Sequence, residues 1–282
     1  MIKLCLLPPT YYIEYANLLP GRMAIASAAA KSVAYTEWFA KEVQRGKTVM
    51  LDQGVYEKDC VPIDIYLDIA ARIRPTVLIV PDTIGSGLKK GYRNACAFAD
   101  HVRDIYAWFS AYEHELMYVP QASEIDTLDD FKRHMVQIAQ DGIFKWIALA
   151  FDTPKNLWRF HYPQDEEMLR FAFIQWMRGE GILDLPFKWH LFGVGDRVET
   201  LQHYSFAESA DTASFFWQAA EYGATIKEGL LSSAHKRPVG YFERVYSRQE
   251  ESVWKTLVEK NCRLADDYAH LGTFDRGTKK EV

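Results

Sequence analysis

Short apolar runs alternate with longer amphipathic stretches along almost the whole chain. The runs are Ile2–Leu7, Thr48–Leu51, Thr76–Val80, Glu115–Val119, Lys145–Ala150, Lys188–Phe192, Ser205–Ala210 and Ala224–Lys227. Most are continuous rather than alternating, as expected of strands covered on both faces. Between them the spacing predicts helices over Ala24–Gln44, Pro62–Ala71, Tyr92–Tyr112, Leu128–Gln140 (after a Thr127 cap), Asp165–Met177, Arg197–Tyr204, Ala213–Glu221 and Arg248–His270. Strand–helix alternation of this kind favours a parallel sheet. Close to eight such units favour an α/β fold built as a single (β/α)8 TIM-type barrel over residues 1–271, ahead of an open doubly wound sheet. The polar segment 272–282 reads as a frayed tail.

Composition narrows the class. The 282 residues are 49% hydrophobic and 25% charged, ordinary for a globular chain. No apolar run approaches the roughly 18 residues a membrane span needs. The N-terminus lacks the long apolar core and small-residue cleavage site of a secretory signal. Cys5, Cys60, Cys96 and Cys262 are widely separated. That argues against a cysteine zinc site or a disulfide framework and points to a reducing, cytoplasmic setting. The net charge of −5 excludes a generic basic nucleic-acid binder but leaves room for a local basic patch.

In a barrel, functional residues collect at the C-terminal ends of strands. Here those ends are polar: Asp52 and Gln53, Asp82, Gln121, Asp152, Gly193 with Gly195 and Asp196, and Asp211. An aspartate after a strand is often only a turn former or helix cap. Asp152 and Asp196 suit that reading best. Asp52 and Asp82 suit it less, since each directly follows an apolar run. Carboxylates gathered at one rim repel one another and lose water, which is costly unless a function uses them. One carboxylate attacking a sugar carbon while another handles the proton is glycosyl-transfer chemistry. An Asp with a Gln can read a purine-like edge through paired donors and acceptors.

The ordered series LDQG, VPD, VPQA, IALA, HLFGVG and SADTAS, spread over Thr48–Thr212, resembles the tRNA-guanine transglycosylase superfamily. Those are (β/α)8 barrels that exchange guanine for a 7-deazaguanine base. The resemblance implies Asp211 as the nucleophile on C1′ and Asp52 as the partner carboxylate in proton transfer. It implies Asp82 and Gln121 as the pair bonding the base edge, with Leu149 and Ala150 as its backbone-contact segment. Gly193 and Gly195 would either let backbone approach the ribose-phosphate or simply allow a tight turn.

The departures from the family pattern are informative. Gln53 and Gly54 stand in the first motif where the family has Ser and Gly, and Ala122 replaces a glycine in VPQA. The cysteine–histidine zinc site of the tRNA enzymes is missing, with no cysteine between Cys96 and Cys262. The resemblance therefore runs to the zinc-free, DNA-directed branch of phages and bacterial modification systems. It implies DNA rather than tRNA as the nucleic-acid partner, a free 7-deazaguanine base as the second substrate, no cofactor and no metal. It allows a homodimer or a helper protein that opens the duplex. A zinc-free tRNA enzyme and a non-catalytic nucleic-acid-binding barrel subunit are the alternatives, with an unrelated glycoside hydrolase barrel behind them.

The target base must leave the stack to reach such a site, so aromatics are expected beside it. Tyr11, Tyr12, Tyr56 and Phe151 are the candidates, each with core packing as its plain alternative. Phosphate contacts need local positive charge. One cluster is Lys89, Lys90 and Arg93. The other, preferred, holds His235, Lys236, Arg237, Arg244 and Arg248, with Lys236 and Arg237 at its centre. The histidines show no metal-ligand spacing. His190, inside a strand, reads as a buried, hydrogen-bonded residue.

Overall fold

The computed structural model describes residues 1–54, 60–106, 114–158, 169–195, 197–227, 235–246 and 248–271. Asp196, Tyr56, His161, the start of the helix expected from Asp165, residues 107–112 and the tail 272–282 lie outside the described residues.

Eight strands form one parallel sheet: β1 Lys3–Leu6, β2 Arg22–Ile25, β3 Val49–Asp52, β4 Val77–Ile79, β5 Glu115–Tyr118, β6 Trp146–Leu149, β7 Lys188–Leu191 and β8 Ala207–Thr212. Their order is β1-β8-β7-β6-β5-β4-β3-β2. With helices interleaved, this is the (β/α)8 TIM-type class read from the pattern. The chain divides into two compact units, one formed by Arg22–Phe192 and one by Met1–Gly21 with Gly193–Val282.

The unit Arg22–Phe192 carries β2 to β7. Its helices are α1 Ala26–Lys31, α2 Val33–Gln44, α3 Ile63–Ile73, α4 Leu88–Tyr106, α5 Leu128–Asp141, α6 Asp152–Trp158 and α7 Leu169–Gly179. Here the single helix expected over Ala24–Gln44 is corrected. Arg22–Ile25 is a fully buried strand in register with β3, from Arg22 opposite Val49 to Ile25 opposite Asp52. Helix-favouring Met and Ala hide it in the sequence, and four residues are too few for a strand period to register. The remainder splits at Ser32, whose hydroxyl accepts from Tyr35 N at 3.2 Å and caps α2. The Thr127 signal is a full capping box: Thr127 Oγ1 accepts from Asp130 N at 3.1 Å, and Asp130 returns a bond to Thr127 N at 3.0 Å.

The buried strand also explains a buried ion pair. Arg22 Nε bonds Glu42 Oε2 at 2.7 Å, and their side chains are 6% and 2% exposed. Arg45 adds a second cation on Glu42 at 2.7 Å. Burial alone would raise the Glu42 carboxyl, and the two guanidiniums overcome that, leaving it below the ordinary range.

The other unit holds β1, β8, α8 (Ser214–Tyr222), α9 (Arg248–Leu271) and a 3-10 segment, Thr10–Leu18. β1 and β8 run in parallel register, with Cys5 opposite Asp211. Along α9, Trp254, Val258, Cys262, Ala265 and Ala269 form a buried stripe at helical spacing. A strand was expected over Ala224–Lys227, but the segment is irregular. Its polar groups are already engaged: Ala224 N donates to Gln218 O at 2.9 Å and Ile226 N to Asn261 Oδ1 at 2.9 Å. The fully buried Asn261 also donates to Phe215 O and Ala224 O. A helix end and one asparagine thus satisfy the groups a neighbouring strand would have used. The eighth strand lies at Arg22–Ile25 instead, so each strand expected after the first stands one place later in the sheet.

Candidate functional site

Asp52 is the last residue of β3 and is half-buried. Its Oδ2 accepts from Gly54 N at 3.0 Å, an Asx-type turn that fixes the carboxylate just beyond the strand. Gly54 has φ of +87°, and a Cβ there would lie 3.0 Å from Ser27 Oγ and 3.1 Å from Ile25 Cγ2. Glycine is thus required by both conformation and space. Gln53 turns away from any ligand role: it is 8% exposed and its Nε2 donates to Val61 O at 2.7 Å.

Asp82 and Gln121 follow β4 and β5, and the structure brings them together. The Gln121 amide donates to Asp82 Oδ2. Burial raises the Asp82 carboxyl above the ordinary aspartate range, against the lowering effect of that amide. Gln121 is 1% exposed, and its Oε1 is buried with no hydrogen-bond partner among the described residues. Ser86 Oγ is in the same condition beside the same small cavity, which Asp82, Gln121 and Tyr118 also line. The cavity measures about 10 Å³, room for one water rather than a ring.

The loop after β5 is tied down by the next helix. Thr153 Oγ1 donates to Pro120 O and Asn156 Nδ2 to Ala122 O, both at 2.8 Å. Ala122, where the resembled family has glycine, is fully buried. Leu149 and Ala150 are fully buried at the end of β6, and their carbonyls already accept bonds. Leu149 O takes Phe192 N at 3.1 Å and Ala150 O takes Thr153 N at 3.3 Å. Phe151 is exposed, with the Arg170 guanidinium 5.0 Å from its ring centre. Asp152 opens α6, as its turn-and-helix-start reading anticipates. His190 is fully buried with its ring edge-on to Phe192.

In the other unit, Asp211 stands near the end of β8 and is 5% exposed. Its Oδ1 accepts from Gly193 N at 3.1 Å, and its carbonyl accepts from Val194 N at 2.7 Å. Gly193 has φ of +55°, while a Cβ there would meet nothing within 4 Å. The glycine is therefore required by the turn, and the turn presents its N–H to the carboxylate. Sequence reading assigned these two residues separate roles and missed the bond between them.

Lys236 and Arg237 are exposed. The Arg237 guanidinium lies 6.0 Å from the Phe242 ring centre, and His235 stacks on Tyr222 at 4.3 Å. Arg244 is neutralised by Glu221 at 2.5 Å. The cluster follows α8 rather than an eighth strand, and the Arg248 side chain lies outside the described residues. Lys89, Lys90 and Arg93 are exposed on the first turns of α4. Tyr11 and Tyr12 do not line the Asp82 cavity. They line another, with Tyr15 and Tyr246.

The four cysteines are free. Among the described residues, no group of three His, Cys, Asp or Glu side chains is placed to hold a metal ion, and no helix is long and apolar enough to cross a membrane. In comparison with known proteins, the chain matches no protein-family model and no curated protein sequence.

Proposed function

We propose that the chain is a base-exchange transglycosylase that replaces guanine in DNA with a 7-deazaguanine derivative. The observation that carries the reading is Asp211: a buried carboxylate at the C-terminal end of a strand of a (β/α)8 fold, oriented by a main-chain N–H. A carboxylate so held is suited to nucleophilic work, because the donor fixes its direction. The ordered motifs resembling the transglycosylase superfamily supply the substrate.

In this reading Asp211 attacks C1′ of the target nucleoside. The C1′–N9 bond breaks as the sugar–aspartyl ester forms, and Asp52 protonates the departing guanine. The incoming base then loses its proton to Asp52 and attacks C1′, breaking the ester. Two inversions give net retention. Asp82 and Gln121 are the proposed base readers. The second oxygen of Asp82 and the unpartnered Oε1 of Gln121 are acceptors, matching the N1–H and N2–H donors of guanine and its deaza analogues. At about 10 Å³ their cavity admits no base, so the reading requires the segment 83–87 to move on binding. Lys236 and Arg237, exposed and basic, are the proposed phosphate contacts. A reducing, cytoplasmic setting accords with four free cysteines.

The test is direct. The protein is incubated with an isotope-labelled 7-deazaguanine and either duplex DNA or tRNA, and the polymer is digested to nucleosides for mass spectrometry. Label in DNA, with release of guanine and loss of both in Asp211→Asn, is the expected result. Label only in tRNA would replace the DNA reading by the tRNA one. No label in either, with nucleic acid still bound, would favour a non-catalytic binding barrel.

A further inference from the structure

A second cavity, of about 290 Å³, lies in the unit formed by Met1–Gly21 and Gly193–Val282. Val245 apart, every described residue lining it is a tyrosine or a glutamate: Tyr11, Tyr12, Tyr15, Tyr246, Glu14 and Glu251. Among the described residues no lysine or arginine lines it, and none pairs with Glu14 or Glu251. The base-exchange steps proposed above use none of these groups, although Tyr11 and Tyr12 are among the aromatics expected from the sequence beside the base.

Three of the four rings are held before any ligand arrives. Tyr12, Tyr15 and Tyr246 each pack on the buried Trp254, at centroid distances of 5.4, 5.4 and 5.7 Å. The Tyr12 hydroxyl donates to Tyr246 O at 2.9 Å and accepts from Tyr246 N at 2.7 Å. The Tyr246 hydroxyl donates to Glu221 at 3.0 Å. Ligand binding therefore loses little ring freedom.

The charge pattern selects the ligand. Aromatic faces are negative, and tyrosine faces attract cations. Two carboxylates in a concave site, with no cation beside them among the described residues, add to that field. The Tyr15 hydroxyl donates to Glu251 Oε1 at 3.2 Å. That leaves Glu14 and the second oxygen of Glu251 to accept from ammonium N–H groups. Burial, reinforced by the charge of Glu251, holds the Tyr15 phenol well above its usual range, so this ring stays neutral beside the carboxylates. The volume falls at the small end of ligand pockets, which run from about 300 Å³ upward.

We propose that this cavity binds a small alkylammonium cation, its charged head among the tyrosine rings and its N–H groups on Glu14 and Glu251. The proposal is independent of the base-exchange reading, and its test involves no nucleic acid.

The experiment is isothermal titration of the full chain with n-butylammonium chloride at low salt, with n-butanol as the neutral counterpart. Saturable binding of the amine and none of the alcohol is expected. Glu14→Gln and Tyr11→Ala, both at exposed positions, should each weaken binding about two- to fivefold while leaving the urea midpoint unchanged. Glu37→Gln, an exposed acid on α2, should leave the affinity as it was. Equal binding of the alcohol would make the cavity a mere apolar groove. Equal weakening by Glu37→Gln would reduce the effect to diffuse charge. Absence of amine binding, or indifference to the Glu14 and Tyr11 changes, would overturn the proposal.

Discussion

The N–H of Gly193, at the turn after β7, donates to the Asp211 carboxylate at the end of β8 at 3.1 Å. The bond depends on a left-handed glycine: at φ of +55° an L side chain is strained, although space for it is open. Gly193→Ala should therefore cost about 1–2 kcal/mol through backbone strain alone. Gly193→Asn should recover part of that, since asparagine tolerates this region better. Urea unfolding of the three proteins checks the order. If the base-exchange reading holds, Asp211→Asn should lower exchange by roughly 10³-fold or more with a near-normal midpoint.

Gly54 makes a contrasting case. Its φ is +87°, and a Cβ there meets Ser27 Oγ and Ile25 Cγ2 at 3.0 and 3.1 Å. Gly54→Ala is predicted to cost more than Gly193→Ala, about 2–3 kcal/mol, because crowding adds to strain. Equal losses at the two sites would show that the β3 turn relaxes around the new methyl group.

The Arg22–Glu42 pair allows a charge experiment. Glu42→Gln leaves Arg22 buried without its counter-ion and should destabilise by about 3–5 kcal/mol. The double change Arg22→Met with Glu42→Leu should recover most of it. The folded Glu42 carboxyl sits below its ordinary value, so its contribution is full above the unfolded glutamate pKa and disappears as pH falls through the folded one. The acid limb of stability against pH should flatten in Glu42→Gln.

His134 acts in a higher window. Burial pushes it down to about 4 from 6.5, and its Nε2 lies 3.2 Å from the Tyr118 hydroxyl. A depressed pKa means stability is complete above pH 6.5 and is lost as pH falls toward 4. The loss should reach at most about 3 kcal/mol for this group. His134→Gln should remove that slope between pH 6.5 and 4 in urea midpoints measured across the range. His114, also pushed down to about 4 by burial, contributes in the same window and would remain.

Much of the fold was legible because strands covered on both faces read as apolar runs. Seven of the eight expected runs overlap observed strands, and Leu128–Gln140 with its Thr127 cap sits within one residue of α5. The runs failed where local propensity and tertiary pairing disagree. Met23 and Ala24 favour a helix, yet the β3 ladder and the Glu42 counter-ion hold them in a strand. Ala224–Lys227 has an apolar look, yet its donors go to a helix end and to Asn261.

The candidate site divides along similar lines. That polar residues end the strands could be read directly, since position after an apolar run is a local property. Their partners could not. Gln121 reaches Asp82 across 39 positions and Gly193 reaches Asp211 across 18. Four tyrosines and two glutamates from opposite ends of the chain surround one cavity. Sequence by itself determined the class of fold and the chemical types at its strand ends, because periodicity and residue type act over a few neighbouring residues. Only the tertiary structure decided where the eighth strand runs, which acceptors are already spent and which rings face a shared space, because hydrogen bonds and burial join groups that the chain order keeps apart.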